Sequence, residues 1–296
     1  MMTNENVIEL TNVSKAFQNF ALKDLSLSVK KGFVTGFIGA NGMGKSTTIK
    51  LIMNLLKPDR GNIKVFGLNY KQHEKEIKER IGFVFDQNVF YESVTLEELN
   101  NILKPAYKRW NDEVFYHYVD QFELPLKKKL KTFSKGMLMK TSLTVALSHD
   151  AQLIIMDEPT SGLDPIFRRE LLDMLHDLME DENKTIFFST HITTDLDRIA
   201  DYIIFIHDGE IVFTKEFYQI EEEFALVKGE TNLLDRDTEK EFVGIKRNEF
   251  GFEALTANKK RTELIFGNSI IYEKPTLEDI MFFTKKGKDA NVESYT

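Results

Sequence analysis

The chain has 296 residues, 42% of them hydrophobic and 29% charged, the balance of a folded globular protein, which excludes disordered and collagen-like classes. With 39 Lys and Arg against 47 Asp and Glu, the net charge of −8 argues against non-specific nucleic-acid or anionic-membrane binding as the main activity, leaving room only for a local basic patch. The absence of cysteine removes disulfides, thiolate catalysis and cysteine metal sites together and fits a reducing cytoplasm.

The first residues show no cationic segment followed by an apolar run, and no stretch reaches the roughly 18 apolar residues of a membrane span, so at any membrane a separate partner is expected to cross. In chain order, residues 7–10 and 25–29 alternate apolar and polar side chains, which predicts a half-exposed antiparallel edge sheet. Val34-Thr35-Gly36-Phe37-Ile38 reads as a buried strand, followed by a glycine-rich segment over 39–44 and a helix over 46–56. The turn residues Lys57-Pro58-Asp59-Arg60-Gly61 stop that helix. Further strands are predicted at 81–85, 153–157, 185–189 and 202–206, each short, apolar and β-branched or aromatic. Between about 92 and 149 helical patterns take over, at 96–107, 113–122 and 134–147, so an α/β core carries a helical insertion. Beyond about residue 217 the chain turns charged and weakly patterned, then regains apolar character at Ile280-Met281-Phe282-Phe283. This predicts a small C-terminal extension ending in a solvated tail over 285–296. The expected domains are 1–222, with the helical subdomain at about 92–149, and 223–296.

Gly39-Ala40-Asn41-Gly42-Met43-Gly44-Lys45-Ser46 fits the phosphate-loop pattern and sits where that pattern requires, between a buried strand and a helix. Glycines let backbone N–H groups curl around an anion, and the helix aims its positive end at the same phosphates. Lys45 is expected to bridge the β- and γ-phosphates, and the Ser46 hydroxyl to ligate Mg²⁺. Leu153-Ile154-Ile155-Met156-Asp157-Glu158 is an apolar strand ending in two carboxylates, which belong at the carboxyl edge of an open α/β sheet. There Asp157 suits a Mg²⁺ contact, and Glu158 can accept a proton from water attacking the γ-phosphate.

These motifs, with Thr132-Phe133-Ser134-Lys135-Gly136-Met137, Pro159, Ser161-Gly162-Leu163-Asp164 and Ser189-Thr190-His191 in that order, resemble the nucleotide-binding subunit of an ATP-binding-cassette (ABC) transporter from about residue 7 to 223. The resemblance implies an α/β fold: a P-loop NTPase core of ABC type with an antiparallel edge sheet, a helical insertion and a small C-terminal extension. It implies ATP and Mg²⁺ as ligands, with Gly39, Ala40, Asn41, Gly42, Met43, Gly44, Lys45, Ser46 and Thr47 around the nucleotide and Phe17 stacked on adenine. Ser134, Lys135 and Gly136 then meet the ATP of the opposite subunit, although the common signature Leu-Ser-Gly-Gly-Gln differs from Phe133-Ser134-Lys135-Gly136-Met137 at three positions. Ser161 and Asp164 fall in the loop that communicates between two ATP sites, Asp164 doubling as a helix N-cap, and His191 becomes the γ-phosphate sensor. The implied partners are membrane permease subunits and a second ATPase subunit, identical or related, at the cytoplasmic face of the membrane. Transported substrate is not bound directly, and nucleic acid is not an expected partner.

Within the family the Ser-Lys-Gly-Met variant and Pro275-Thr276-Leu277-Glu278-Asp279-Ile280 resemble the export-type branch, bacitracin-resistance-like and other Gram-positive peptide exporters, with the overall look of staphylococcal peptide-toxin cassettes. Efflux of amphipathic peptides is the expectation that follows. One departure lies in Ile81-Gly82-Phe83-Val84-Phe85-Asp86-Gln87, where either Asp86 or Gln87 takes the position that touches Mg²⁺ and couples to the membrane subunit. The following segment, Asn88 to Tyr91, is expected to grip a helix of that subunit. Two other readings stand beside this one. A cassette acting on ribosomes or DNA normally carries two cassettes or a long coiled coil, which are not visible here, and a degenerate scaffold is opposed by intact Lys45, Asp157, Glu158 and His191.

Overall fold

The computed structural model describes residues 5–85 and 90–293, with side chains through Gly287 in the last helix. Two compact units divide between Thr214 and Lys215. Asp86, Gln87 and Asn88 lie outside the described residues.

In the first unit, β1 (Asn6–Ala16) and β2 (Ala21–Lys30) pair antiparallel, with Ile8 opposite Val29 and Leu10 opposite Leu27. Both strands run well beyond the short alternating segments 7–10 and 25–29 that the sequence marks. Next come β3 (Val34–Ile38), α1 (Lys45–Ile52), β4 (Arg60–Val65), α2 (Tyr70–Glu79) and β5 (Ile81–Val84). β4 joins the other side of β1, completing a three-stranded sheet in the order β2-β1-β4. Its apolar face, including Ile8, Leu10, Leu25, Leu27 and Ile63, shares one core with Phe37, Ile49 and Ile52. α1 stops at Ile52, short of the expected 56, because Asn54 takes a left-handed backbone with φ 58° that no helix continues through.

The helical insertion contains α3 (Leu96–Leu103), α4 (Asp112–Gln121) and α5 (Lys135–Ser148). Each begins on a side-chain cap: Thr95 with Glu98 in a capping box, Asn111, and Ser134. α3 ends at Leu103 rather than 107, since Pro105 withholds the N–H a continuing helix needs and the chain tightens into a 3₁₀ turn over Lys104–Ala106. Leu96, Leu99, Phe115, Val119, Leu130 and Phe133 form the core of this insertion. α5 is buried on most sides, yet carries Thr141, Thr144 and Ser148 inward; each hydroxyl is satisfied by the carbonyl four residues back.

The chain then forms β6 (Leu153–Asp157), α6 (Pro165–Leu178), β7 (Thr185–Thr190), α7 (Leu196–Ile199), β8 (Tyr202–His207) and β9 (Glu210–Glu216). The central sheet has the order β5-β6-β7-β3-β8-β9, with β5, β6, β7, β3 and β8 all parallel. Every residue of β3 and β7 is buried, as expected of strands covered on both faces. The turn Asp208-Gly209, both residues at positive φ (49° and 74°), folds β9 back along β8 as a tight hairpin.

The second unit holds α8 (Phe217–Glu223), β10 (Ala225–Gly229), β11 (Gly244–Asn248), β12 (Gly251–Thr256), α9 (Lys259–Phe266), β13 (Ile271–Glu273) and α10 (Leu277–Glu293). Its four strands make an antiparallel sheet in the order β11-β12-β10-β13 over a core of Val227, Phe252, Ala254 and Phe266. The tail expected from 285 begins as helix, since α10 continues through Glu293, with Lys285 exposed. A Cβ at Gly287 would stand 1.9 Å from the Val243 carbonyl oxygen, so glycine here permits helix and strand backbones to touch. Among the described residues no helix is long and apolar enough to cross a membrane.

Candidate active site

Strands β6, β7 and β3 are neighbours and parallel, so the segments leaving their carboxyl ends meet at one edge of the sheet. Those segments carry Asp157-Glu158, Thr190-His191 and the loop 39–46. Register brings them closer still, because Ser189 of β7 stands opposite both Phe37 of β3 and Asp157 of β6.

The loop 39–46 is shaped by three glycines with different tasks. A Cβ at Gly39 would lie 2.6 Å from the Ile206 carbonyl oxygen, and one at Gly44 2.5 Å from Leu22 Cδ2. Gly42 has open space around it but holds φ 84°, the left-handed region that glycine enters without strain. Lys45, the first residue of α1, is 5% exposed. Its Nζ donates to the carbonyls of Gly39 (2.6 Å) and Ala40 (3.3 Å) and lies 3.0 Å from Glu158 Oε1. Ala40, Asn41, Gly42 and Ser46 face solvent, with Met43 and Thr47 half-buried beside them.

Asp157 Oδ1 accepts from two hydroxyls, Ser189 at 2.7 Å and Ser46 at 3.2 Å. Glu158 follows with φ 51°, uncommon for a side chain with a Cβ, and its N–H is held by the Ser189 carbonyl (3.0 Å) and hydroxyl (3.2 Å). Its carboxylate is divided between two cationic or polar neighbours. Oε1 faces Lys45, and Oε2 accepts from both Nδ1 (2.7 Å) and the backbone N–H (3.2 Å) of His191. The Thr190 hydroxyl caps the next turn by accepting from the Ile192 N–H at 2.9 Å. Lys45, Ser46, Asp157, Glu158 and His191 thus form one connected cluster.

The other expected site residues form separate groups. Ser134 caps α5, its hydroxyl accepting from the Met137 N–H at 3.3 Å. Lys135 and Gly136 neighbour the loop and helix that follow Glu158: a Cβ at Gly162 would stand 3.6 Å from Lys135 Nζ, and one at Gly136 3.3 Å from Phe167 Cδ1. In that loop the Ser161 N–H donates to the Glu158 carbonyl (3.1 Å), and Asp164 caps α6 through the N–H groups of Ile166 and Phe167. Phe17 stands apart on the turn after β1, 45% exposed, where a core residue would be covered. The alternatives Asp86 and Gln87 lie outside the described residues.

Two arrangements escape sequence reasoning. Ser189 had no role assigned, and a hydroxyl inside a buried strand shows its partners only once strand register is known. Arg168 of α6 donates to Asp195 Oδ1 (2.6 Å) and to the Thr194 hydroxyl (2.9 Å), tying the helix after Asp164 to the segment after His191. The spacing of a charged pair 27 positions apart carries no such signal.

Comparison with known proteins places the chain in a family. A family profile described as "ABC transporter" matches residues 22–161. The bacitracin transport ATP-binding protein BcrA of Bacillus licheniformis is 37% identical over 213 residues, covering 70% of this chain and 68% of that protein. Among solved structures, an ATP-binding subunit of an ABC transporter aligns with TM-score 0.67 and 28% identity, over 73% of this chain and 92% of the other. A dimeric ATP-binding cassette in a post-hydrolysis state, bound to ADP and Pi, aligns with TM-score 0.62 and 25% identity, over 71% of this chain and 98% of the other. The chain belongs to the ATP-binding subunits of ABC transporters. It binds ATP and is an ATPase whose hydrolysis is coupled to transport.

The residues present also fit a magnesium ion. Ser46 and Asp157 supply a hydroxyl and a carboxylate in mutual contact, hard oxygen donors of the kind Mg²⁺ takes. Among the described residues no cluster of three or more His, Cys, Asp or Glu could hold a metal ion.

Proposed function

We propose that this chain is the ATPase of an exporter, and that two such chains, identical or related, close on two ATP molecules and reopen after hydrolysis. The observation that supports this most is the connected cluster of Lys45, Ser46, Asp157, Glu158 and His191 at three adjoining strand ends. In this reading the loop 39–47 wraps the phosphates, Lys45 neutralises their charge and Phe17 stacks on the adenine. Ser46 and Asp157, with Asp86 or Gln87, would hold Mg²⁺, which supplies charge neutralisation on the phosphates. Glu158 takes the proton of the attacking water. His191 donates from Nδ1 to Glu158, fixing the ring so that Nε2 is the atom left to meet the γ-phosphate. Ser134, Lys135 and Gly136 at the N-terminus of α5 offer a second anion site, for the ATP held by the opposite subunit, and Ser161 and Asp164 link the two sites.

Export is supported by the bacitracin transport relative and by the Ser134-Lys135-Gly136-Met137 signature; amphipathic peptides are the cargo class we infer. The chain would act at the cytoplasmic face, peripheral to separate permease subunits that alone contact the cargo. Glu158→Gln tests the scheme. ATP binding should persist, phosphate release should fall by about 10²–10⁴-fold, and ATP should convert monomer to a stable dimer on size exclusion. Turnover at the wild-type rate would sink the assignment of Glu158 as base. In cells, the same variant should raise retention of amphipathic peptides, and unchanged retention would overturn the export reading.

A further inference from the structure

Ser189 occupies the centre of the site without belonging to any role assigned above. It is fully buried in β7, in register with Asp157 on one side and Phe37 on the other. Its hydroxyl has one hydrogen and is flanked by two groups of opposite character. The Glu158 N–H can only donate, at 3.2 Å, so the Ser189 oxygen accepts there. The single hydrogen is therefore left for Asp157 Oδ1, at 2.7 Å, the shorter of the two hydroxyl contacts that oxygen receives. One hydroxyl thus fixes the carboxylate of Asp157 and the backbone of Glu158 at once. That backbone needs holding, because a non-glycine residue at φ 51° persists only where its surroundings over-determine it. A satisfied polar group in a buried strand could point anywhere along the sheet; this one points at the two acids that the proposed function uses for metal and base.

We propose that Ser189 is a positioning residue for ATP hydrolysis, acting through Asp157 on the metal-bound nucleotide and through Glu158 on the base. The inference rests on the roles given to Asp157 and Glu158 under the proposed function. The Ser189 carbonyl still holds the Glu158 N–H when the hydroxyl is removed, so the loss is partial and the fold remains.

The test compares full-length wild type, Ser189→Ala, Ser189→Thr and Glu158→Gln. ATP affinity is measured by calorimetry in EDTA and in excess Mg²⁺, alongside phosphate release and thermal melting. Ser189→Ala is expected to keep wild-type ATP affinity in EDTA and to melt within a few degrees of wild type, the shift that one lost hydrogen bond of about 1 kcal/mol gives. The affinity gained on adding Mg²⁺ should shrink, and kcat should drop, each by roughly 10-fold or more, with Ser189→Thr recovering both. A Ser189→Ala protein with wild-type Mg²⁺ gain and kcat would overturn the inference. So would equal loss of affinity with and without Mg²⁺, accompanied by lower melting, which marks a merely structural hydroxyl. Glu158→Gln separates the failures: turnover retained there overturns the base assignment and this inference together, whereas turnover lost there and kept in Ser189→Ala overturns this inference alone.

Discussion

Lys45 Nζ lies 3.0 Å from Glu158 Oε1, with the lysine side chain 5% and the glutamate side chain 13% exposed. The proposed phosphate-binding cation and the proposed base therefore contact each other directly. Oε1 is buried without an aligned hydrogen-bond donor, so charge rather than a directed bond joins the pair. Under the proposed function a γ-phosphate arriving at Lys45 would compete with this carboxylate for one ammonium group, leaving Glu158 its contact with His191. Lys45→Ala removes a charge-assisted contact to phosphate of about 1.5–3 kcal/mol, so ATP affinity by calorimetry should weaken at least about 10-fold. Unchanged ATP binding would contradict the assignment of the loop 39–46 to phosphate.

Under the proposed function Phe17 would supply a second, independent handle on the nucleotide. The residue is 45% exposed and its backbone N–H is tied to the Phe20 carbonyl at 2.8 Å, so the turn is held at an exposed aromatic. Base stacking on an aromatic is worth about 1–3 kcal/mol, and Phe17→Ala should weaken ATP binding by about 5- to 150-fold. Phe17→Tyr should bind as wild type, since stacking needs only the π-face. Binding of inorganic triphosphate should be insensitive to either change, and a Phe17→Ala protein that loses triphosphate as well as ATP would point to a displaced loop.

Much of this site is legible in the sequence because parallel strands buried on both faces leave unbroken apolar runs: β3 and β6 fall at 34–38 and 153–157, the bounds read from sequence. The motif residues follow at strand ends, where a run of apolar side chains stops abruptly at Gly39 or Asp157. Cross-strand relationships are not legible in this way. The hydroxyl of Ser189 finds its partners through register across three strands, and Arg168 reaches Asp195 only because α6 and the turn before α7 pack together. The sheet of the second unit was missed for another reason. Lys228 pairs with Glu253 (3.6 Å) and Glu273 (2.6 Å) across β10, β12 and β13, so charged residues that resemble a solvated segment are cross-strand partners. The close approach of Gly287 to the Val243 carbonyl is likewise a relationship between distant segments that no local pattern carries.

The Arg168–Asp195 pair should carry measurable stability. Asp195 is 1% exposed and its Oδ2 has no hydrogen-bond partner, so the carboxylate depends on Arg168 and its one aligned bond at 2.6 Å. Arg168→Ala strands that charge in the interior, at a cost of about 3 kcal/mol, toward the low end for buried pairs because the guanidinium is 29% exposed. With Asp195→Asn measured alone as well, its addition to Arg168→Ala neutralises the stranded group and should recover about 1 kcal/mol or more in urea unfolding. Strict additivity of the two single changes would show that the pair is not coupled.

His149, at the C-terminal end of α5, makes the fold less stable as pH falls. The ring is 1% exposed, stacked 4.1 Å from Tyr107, with Nδ1 2.7 Å from the Val145 carbonyl and Nε2 3.1 Å from the Ile81 carbonyl. Burial pushes its pKa below the ordinary 6.5, helped by the Lys184 cation; the two carbonyls and Asp150 pull the other way without prevailing. The unfolded chain therefore takes up a proton near pH 6.5 that the folded chain refuses. The stability this histidine contributes is present above pH 6.5 and is lost as pH falls through that value toward the lower folded pKa. His149→Gln, which keeps an amide donor for a carbonyl but cannot titrate, should flatten the fall in melting temperature between about pH 7.5 and 5.5, a window around the ordinary histidine pKa. Lys184 and Asp150 remain in both proteins, so parallel melting profiles for variant and wild type would show that His149 is not the titrating group.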